Sequence, residues 1–289
     1  MLFDDDAAPP ALVAEGLSLW RGNCIALNHI NLRVPVGAVV GLVGRNGAGK
    51  STLLRCLVGL SAPDTGHCHL LGAPSLELPD AVRERLGYVA QTPDLFDWLT
   101  AEQHLRRFSA LYRGYDERRA LLLASQLDLP LGVRASRLSG GDQQKLSVLL
   151  ALAHDPDLLL LDEPVSSLDP MARRNFMRSL FERRDAEGPP RTVLISSHLL
   201  TDLERVVTHV AFLRAGQLQL VGEWDALTEH VRLLELPAGH TALPRGAGVL
   251  NRRELAGRER VLFDARVAEA PPAAGQALGL DELFAELNA

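Results

Sequence analysis

The feature that most constrains this chain is an apolar strand followed by a glycine-rich turn and a helix. Residues 38–43 are apolar on both faces, which predicts a strand buried inside a sheet. A turn with three glycines follows, and residues 50–58 have the pattern of a helix. Backbone N–H groups at a helix start can bind an anion when no side chain blocks them. This order of elements therefore predicts a phosphate-binding loop.

The turn fits the pattern G-x-x-x-x-G-K-[ST] in full. Its glycines let backbone N–H groups converge on phosphate oxygens, and the following helix presents its positive end to the same anion. Lys50 is expected to supply positive charge to the β- and γ-phosphates, and the Ser51 hydroxyl is expected to bind Mg²⁺. The predicted ATP-binding residues of this segment are Gly44, Arg45, Asn46, Gly47, Ala48, Gly49, Lys50, Ser51 and Thr52.

A second buried strand ends in acidic residues. Residues 158–161 are four leucines, and Asp162 and Glu163 follow them directly. A strand that delivers a carboxylate beside a phosphate loop can position a metal, so Asp162 is predicted to hold Mg²⁺. Glu163 is the candidate general base, which would orient and deprotonate an attacking water. The two motifs predict a nucleoside triphosphatase and leave its class open.

Charge and hydropathy narrow the range of partners. The formal net charge is −6 over 289 residues, so no basic excess is present to hold the phosphates of a nucleic acid. The first six residues include three aspartates, which is unlike a secretory signal. No uninterrupted apolar run approaches the roughly 18 residues of a membrane-spanning helix. These patterns predict a cytoplasmic protein without a nucleic-acid partner, whose role at a membrane would depend on another subunit.

The remaining pattern predicts an α/β fold. Further strands are expected at residues 11–19, 31–34, 86–90, 192–196, 231–236 and 260–264. Residues 100–127 are predicted to be helical, with a capping box formed by Thr100 and Gln103. The apolar residues at helical spacing in that segment are Leu105, Phe108, Leu111 and Tyr112. Another helix is expected just after Gly141, an Ala/Pro-rich link at 268–274, and a short amphipathic helix at 280–287.

A short segment before the acidic strand indicates which class of triphosphatase this is. It consists of Leu138, Ser139, Gly140, Gly141 and Asp142, and it precedes an apolar helix. This segment resembles the signature sequence of the ATP-binding-cassette (ABC) ATPases. The resemblance implies that it contacts the γ-phosphate of an ATP molecule held by a second subunit. Ser139, bare glycine N–H groups and a helix N-terminus together are suited to bind an anion.

The resemblance covers roughly residues 11–222, and its parts occur in the order typical of the family. It implies that Gln91 is the lid glutamine, which senses Mg²⁺ and the attacking water. It implies that His198 is the switch histidine, which contacts the γ-phosphate. The expected Mg²⁺ ligands are then Ser51, Gln91 and Asp162. The loop that links the two active sites of a dimer is matched by Ser167, Leu168 and Asp169.

The resemblance also implies an architecture. We expect a P-loop NTPase core sheet of the RecA-like type, with an antiparallel β subdomain and a helical insert at about residues 92–145. These parts would form an ABC nucleotide-binding domain at residues 1–223. Residues 224–289 are expected to form a small C-terminal accessory region.

The end of the signature departs from the family pattern. The family usually has Gln there, and this chain has Asp142. A carboxylate near a γ-phosphate should weaken a closed dimer, whereas an acid at a helix start is favoured by the helix dipole and can form a capping box with Ser139. We interpret Asp142 as a cap, and we expect Asp142→Gln to change the ATPase rate by less than about tenfold.

The adenine-binding position also departs from the pattern. The family usually places an aromatic residue just before a glycine upstream of the phosphate loop. Aligned through Gly22, that position is Arg21, and Trp20 precedes it. An arginine plane and a tryptophan ring can both stack on adenine, so both are candidates, and we favour Trp20. Weak discrimination between ATP and GTP is expected in either case.

The function implied by the resemblance is that of the ATP-hydrolysing subunit of an ABC transporter, with ATP and Mg²⁺ as ligands. Such a subunit pairs with a second copy or a paralogue and docks on integral membrane permease subunits at the cytoplasmic face. Residues 92–100 and 280–287 resemble type-2 exporter subunits. One alternative is an ABC-type ATPase that acts on ribosomes or DNA, which the single cassette and the lack of a basic patch oppose. The other is a regulator that binds ATP without turnover, which Glu163 and His198 oppose.

Overall fold

The computed structural model describes residues 9–166, 168, 170–180, 190–197, 200–237, 246, 248–268 and 275–289. Its strands are β1 (Leu12–Arg21), β2 (Cys24–Val34), β3 (Val39–Val43), β4 (Thr65–Leu70), β5 (Ala73–Pro74), β6 (Leu86–Val89), β7 (Leu158–Asp162), β8 (Thr192–Ser196), β9 (His209–Arg214), β10 (Gln217–Glu223), β11 (Val231–Pro237), β12 (Val249–Leu255), β13 (Arg258–Asp264) and β14 (Gln276–Ala277). Its α-helices are α1 (Lys50–Leu57), α2 (Asp80–Arg83), α3 (Ala101–Ser109), α4 (Glu117–Gln126), α5 (Gly140–Leu152), α6 (Pro170–Ser179), α7 (Leu200–Leu203), α8 (Trp224–His230) and α9 (Leu280–Leu287). In the part of the chain that the structure describes, none of these helices is long and apolar enough to cross a membrane.

The central sheet has the strand order β10-β9-β3-β8-β7-β6. All its neighbouring strands run parallel except β10, which is antiparallel to β9. Strands β3, β7 and β8 are buried along their whole length, as the apolar residues at their centres predict. The carboxyl ends of β3, β6, β7 and β8 therefore meet at one edge of the sheet.

The central sheet divides the core into two layers. Along β3, Val39 and Val43 pack in one apolar cluster, whereas Val40 and Leu42 pack in the other. The same alternation holds along β7, since successive side chains of a strand point to opposite faces. The sheet is thus covered on both sides, and the predicted α/β class of fold is confirmed.

A second sheet, with the order β2-β1-β4-β5, is antiparallel. Strand β2 begins at Cys24, seven residues before the strand predicted at 31–34. Its pairing with β1 contains register shifts, and His29 has a positive φ of 53°. These irregularities interrupt the two-residue alternation, so the sequence pattern revealed only the regular end of the strand.

The helix predicted at 100–127 is two helices, α3 and α4. The predicted capping box is present, because Thr100 and Gln103 each bond the other's backbone N–H. Helix α3 ends at Ser109, and Leu111, which its spacing predicts on the apolar face, is 67% exposed. Asp116 starts α4 by accepting hydrogen bonds from the backbone N–H groups of two following residues. This second N-cap, which the apolar spacing does not reveal, divides the segment.

After β10, the chain forms a third sheet with the order β12-β13-β11-β14 and the helix α9. The predicted strands at 231–236 and 260–264 correspond to β11 and β13, and the predicted terminal helix is α9. Strands β12 and β14 were not predicted. Strand β12 lies at the sheet edge and carries charged residues on both faces, so it lacks an apolar alternation. Of the predicted link at 268–274, only Ala268 is described.

Candidate nucleotide site

The phosphate loop between β3 and α1 adopts a backbone that glycine is suited to form. Gly47 and Gly49 have φ angles of 81° and 107°, in the region that side chains disfavour. A Cβ on Gly44 would lie 2.5 Å from the backbone oxygen of Leu213, which is too close for any other residue. The loop therefore packs directly on neighbouring backbone, and its N–H groups remain unobstructed at the start of α1.

Lys50 is the first residue of α1, and its side chain is buried. Its ammonium group donates a hydrogen bond to the backbone oxygen of Gly44 at 2.7 Å. The ammonium lies 3.7 Å from the Glu163 carboxylate. The lysine is thus held back against the loop, between the loop backbone and the predicted general base.

The two acidic residues at the end of β7 share a contact with Ser196, the last residue of β8. The Ser196 hydroxyl donates to Asp162 at 2.7 Å and accepts a hydrogen bond from the Glu163 N–H at 2.9 Å. Both carboxylate side chains are buried. Glu163 has a φ of 48°, which is uncommon for a residue with a side chain and indicates local strain. Ser196 therefore fixes where the strand ends and turns Glu163 towards Lys50.

Tyr88 on β6 responds to the same acidic centre. Burial raises the pKa of its phenol, and the negative charge of Asp162 raises it further, while Arg55 has the opposite effect. The raised pKa keeps the Tyr88 phenol protonated and neutral.

These residues open onto a cavity of about 510 Å³. Its lining includes Arg21, Ile25, Ala26, Arg45, Asn46, Gly47, Gly49, Lys50, Ser51, Thr52, Gln91, Glu163, Ala215 and Gly216. Within it, the Ser51 hydroxyl lies 3.4 Å from the side-chain oxygen of Gln91. The structure thus brings Gln91, the phosphate loop and Glu163 together, although Gln91 lies 40 residues after Ser51 and Glu163 lies 72 residues after Gln91.

Two residues of the cavity lining are candidates to contact the adenine base. Arg21 and Ile25 line the cavity, at the turn between β1 and β2. Trp20 pairs with Ile25 across the strands, is 43% exposed and is not part of the lining. The sequence pattern did not point to Ile25, which lies three residues after Gly22.

Ala215 and Gly216 form another part of the wall that sequence reasoning missed. They connect β9 to β10, and both have positive φ angles. The Gly216 N–H donates to the Ala48 backbone oxygen at 2.9 Å, so this turn supports the phosphate loop. The only signal in the sequence is the pair Ala-Gly between two strand-like segments.

The signature segment lies away from this cavity, since none of its five residues is among the lining. Leu138 is buried, Ser139 and Gly140 are exposed, and Ser139 caps α5 by accepting a hydrogen bond from the Asp142 N–H at 3.1 Å. The Asp142 carboxylate accepts a hydrogen bond from the Ser139 hydroxyl at 2.7 Å. The Ser139 half of the expected capping box is thus present. The other half differs from the expectation, because the Asp142 carboxylate bonds the Ser139 hydroxyl and not the Ser139 backbone N–H.

Several predicted residues lie outside the described part of the chain, namely His198, Ser167 and Asp169. Leu168 is described and is buried. Ser197 is described too and is buried directly after β8. The end of β8 that precedes His198 is therefore at the same sheet edge as the cavity.

The oxygens around the cavity suit a magnesium ion. Ser51 and Gln91 present uncharged oxygens that already approach each other, and Asp162 supplies a carboxylate at the neighbouring strand end. Mg²⁺ prefers such oxygen ligands and usually keeps several waters. Asp162 lies behind the lining and bonds Ser196, which fits a contact through water better than a direct one.

Comparison with known proteins places this chain in a family. The family model described as ABC transporter matches residues 27–166. The chain is 34% identical over 71% of its length to the probable multidrug ABC transporter ATP-binding protein YbhF of Escherichia coli, but it spans only 36% of that relative. It is 32% identical over 77% of its length to Nod factor export ATP-binding protein I of Rhizobium johnstonii, and it covers 72% of that protein.

Solved structures agree with this assignment. An ATP-binding subunit of an ABC transporter is 30% identical, with a TM-score of 0.68, and the alignment covers 76% of this chain and 92% of that one. A dimeric bacterial ABC transporter cassette is 25% identical, with a TM-score of 0.65, and the alignment covers 73% of this chain and 98% of that one. This chain belongs to the family of ABC transporter ATP-binding proteins.

Proposed function

We propose that this chain is the ATP-hydrolysing subunit of an ABC transporter and powers substrate movement through separate membrane subunits. The observation that carries the proposal is the cavity in which the phosphate loop, Gln91 and Glu163 converge. The relatives named above are transporter ATP-binding proteins, which supports the same function.

The chain's residues divide the work of binding and hydrolysis. The loop N–H groups and Lys50 hold the triphosphate. To do so, the Lys50 ammonium leaves the Gly44 oxygen and the Glu163 carboxylate and binds phosphate oxygens instead. This exchange frees the Glu163 carboxylate to accept a proton from water. Ser51, Gln91 and Asp162 would hold Mg²⁺, which supplies positive charge to the phosphates. We assign contact with the γ-phosphate to His198 on the family resemblance.

The active unit in this proposal is a dimer. Ser139 and Gly140 are exposed, and a Cβ at Gly140 would meet no atom within 4 Å. Since the signature is not part of its own chain's cavity, it is available to a triphosphate bound by a facing protomer. The dimeric cassette among the solved structures supports this arrangement. Ser167, Leu168 and Asp169 are assigned to the loop between the two sites.

A membrane partner is proposed to dock beside the Gln91 lid. Phe96 and Trp98 follow Gln91 closely, and they are 50% and 66% exposed. Their rings contact each other at 5.3 Å between centroids, so they form an apolar surface next to the site. Docking there would place the chain on the cytoplasmic face of a membrane. The names of the multidrug and Nod factor relatives favour export as the direction.

Boundaries follow from the same assignment. We propose that residues 1–223 form the nucleotide-binding domain, with the helical insert at about 92–145. Residues 224–289 form the accessory region, which contains the third sheet and α9.

The substitution Glu163→Gln tests the proposed base. It keeps the shape and removes the proton acceptor, so the phosphate-release rate should fall by about 10²–10⁴-fold while Mg-ATP still binds. Glu102→Gln is the matched control, because Glu102 lies on α3 in an exposed pair with Arg106. A Glu163→Gln protein that hydrolyses ATP at the parent rate would refute the role, as would a loss of rate in the control of the same size.

A further inference from the structure

The signature of this chain contains a relay of three polar side chains at the start of α5. Both carboxylate oxygens of Asp142 are in use: one accepts from the Ser139 hydroxyl at 2.7 Å, and the other lies 3.0 Å from the Lys145 ammonium. The side chains of Lys145 and Asp142 are only 12% and 23% exposed. The pair is therefore partly shielded from water, and its charges interact more strongly than a fully exposed pair would.

In this relay the hydroxyl proton of Ser139 is already donated to the Asp142 carboxylate. A hydroxyl has one proton to donate, and an ionised carboxylate can only accept, so the proton of Ser139 points to Asp142. The hydroxyl oxygen meanwhile accepts the Asp142 N–H as a helix cap. For Ser139 to donate to a phosphate oxygen, its proton must leave Asp142.

Charge adds to this competition. The exposed edge at Ser139 and Gly140 is where a triphosphate of a facing protomer would approach, and Asp142 places a negative charge directly behind it. Lys145 offsets that charge from the other side of the carboxylate. Without Lys145, the carboxylate would repel the phosphate more strongly and attract the Ser139 proton more strongly.

We propose that Lys145 is a positioning residue that sets, through Asp142, how readily the signature captures the ATP of the facing protomer. The inference rests on the proposed function, since it needs the signature to bind ATP across a dimer. Lys145 touches no phosphate in this proposal. Its effect is carried entirely by the Asp142 carboxylate and the Ser139 hydroxyl.

A double-mutant cycle separates this indirect effect from a direct one. In the Glu163→Gln background, the Mg-ATP concentration for half-maximal dimerisation is measured by light scattering. Lys145→Met should raise that concentration by about two- to fivefold, the range expected for a partly exposed ion pair. Asp142→Asn keeps the shape of the side chain and removes its charge. In a protein that carries Asp142→Asn, the Lys145→Met change should shift the logarithm of that Mg-ATP concentration by less than about half as much.

Lys145→Arg keeps the charge and should stay within about twofold of the parent. A merely structural lysine would show its effect in melting temperature, so thermal unfolding is recorded for every variant. Lys145→Gln replaces Lys145→Met if the latter does not fold. The proposal is overturned if removing Lys145 costs the same in both backgrounds, or costs nothing in either. A Glu163→Gln protein that stays monomeric at saturating Mg-ATP would instead count against the proposed function.

Discussion

Ser196 shows how one small residue can organise the candidate site. It donates to Asp162 and accepts from the Glu163 N–H, so it links the two adjacent acidic residues to the neighbouring strand. The sequence predicts Asp162 and Glu163 at the end of a buried strand, because four consecutive leucines precede them, and the structure agrees. For Ser196 the sequence predicts only the end of a strand. Nothing near Ser196 in the sequence shows that it pairs with Asp162 on β7.

The same limit applies to the adenine end of the cavity. Motif spacing identified the region, but it could not decide between Arg21 and Trp20, because the turn between β1 and β2 determines which side chain faces inwards. The structure places Arg21 and Ile25 in the lining.

We expect Arg21→Ala to weaken ATP binding by about two- to fivefold, since a stacked guanidinium contributes roughly 0.5–1 kcal/mol. Trp20→Ala is the matched control and should leave the affinity unchanged. GTP should compete with ATP at comparable concentration in the parent protein, because a guanidinium plane stacks on either base. Displacement of a fluorescent ATP analogue measures all three. A large loss in Trp20→Ala with none in Arg21→Ala would assign the base to the tryptophan instead.

A histidine that does not line the cavity should make stability depend on pH. His154 is buried, bonds the Leu86 backbone oxygen at 3.1 Å and stacks on Tyr112 with 4.0 Å between ring centroids. Burial lowers the pKa of His154 below its usual 6.5, although its backbone hydrogen bonds oppose the shift. Below about pH 6.5 the unfolded chain then binds more protons at this residue than the folded chain does. The contribution of His154 to the free energy of unfolding is therefore complete above about pH 6.5 and declines as the pH falls below it.

His154→Phe should remove this dependence, because the ring remains to stack while the titrating group is gone. Chemical denaturation at pH 7.5 and pH 5.5 measures the free energy of unfolding of both proteins. The parent should lose more stability on acidification than the variant does. Burial also lowers the pKa of His209, but that residue is present in both proteins and cancels in the difference. Identical losses in the two proteins would contradict the assignment to His154.

The strands that the sequence predicts most accurately are those that are buried on both faces. Strands β3, β7 and β8 are fully buried and have apolar centres, and they were placed to within a residue or two. The irregular strand β2 and the edge strand β12 were shortened or missed, because bulges and charged edge residues obscure the alternation. The division between α3 and α4 was missed for a related reason, since apolar spacing continues past a helix end.

Helix α9 is held by an ionic contact that its amphipathic pattern does not reveal. Glu286 is buried on α9, and its carboxylate lies 2.8 Å from the guanidinium groups of both Arg253 and Arg260. These arginines belong to β12 and β13, so one carboxylate joins the helix to two strands of the third sheet.

Glu286→Gln should lower the free energy of unfolding by about 2 kcal/mol, less than a fully buried pair would lose, because the arginines are partly exposed to water. Asp281→Asn on the exposed side of the same helix is the control and should cost less than about 1 kcal/mol. Urea denaturation of both variants measures the difference. Equal effects would mean that the charge of α9 matters and the buried contact does not.

At the scale of the whole molecule, the last residues of the chain share an apolar core with the central sheet. Leu280, Leu283 and Leu287 of α9 lie in the same apolar cluster as Phe212 of β9. Polar contacts follow the same seam: the Arg214 guanidinium donates to the Leu287 backbone oxygen at 2.9 Å. Sequence reasoning marked residues 224–289 as an accessory region because the family pattern stops there. Only the packing shows how this region joins the core.

Because the apolar cluster is continuous, the full chain should unfold in one cooperative transition. Removing residues 224–289 would expose the apolar surface that α9 and Trp224 cover, and each large apolar side chain contributes roughly 1.5–3 kcal/mol when buried. The 1–223 protein should therefore melt at a lower temperature than the full chain and bind an apolar dye before melting. Leu283→Ala is the milder test and should cost about 3 kcal/mol, since this leucine is 2% exposed. Scanning calorimetry follows all three proteins. If the shortened protein keeps the parent melting temperature, or if the full chain shows two separate transitions, the C-terminal region folds independently of the core.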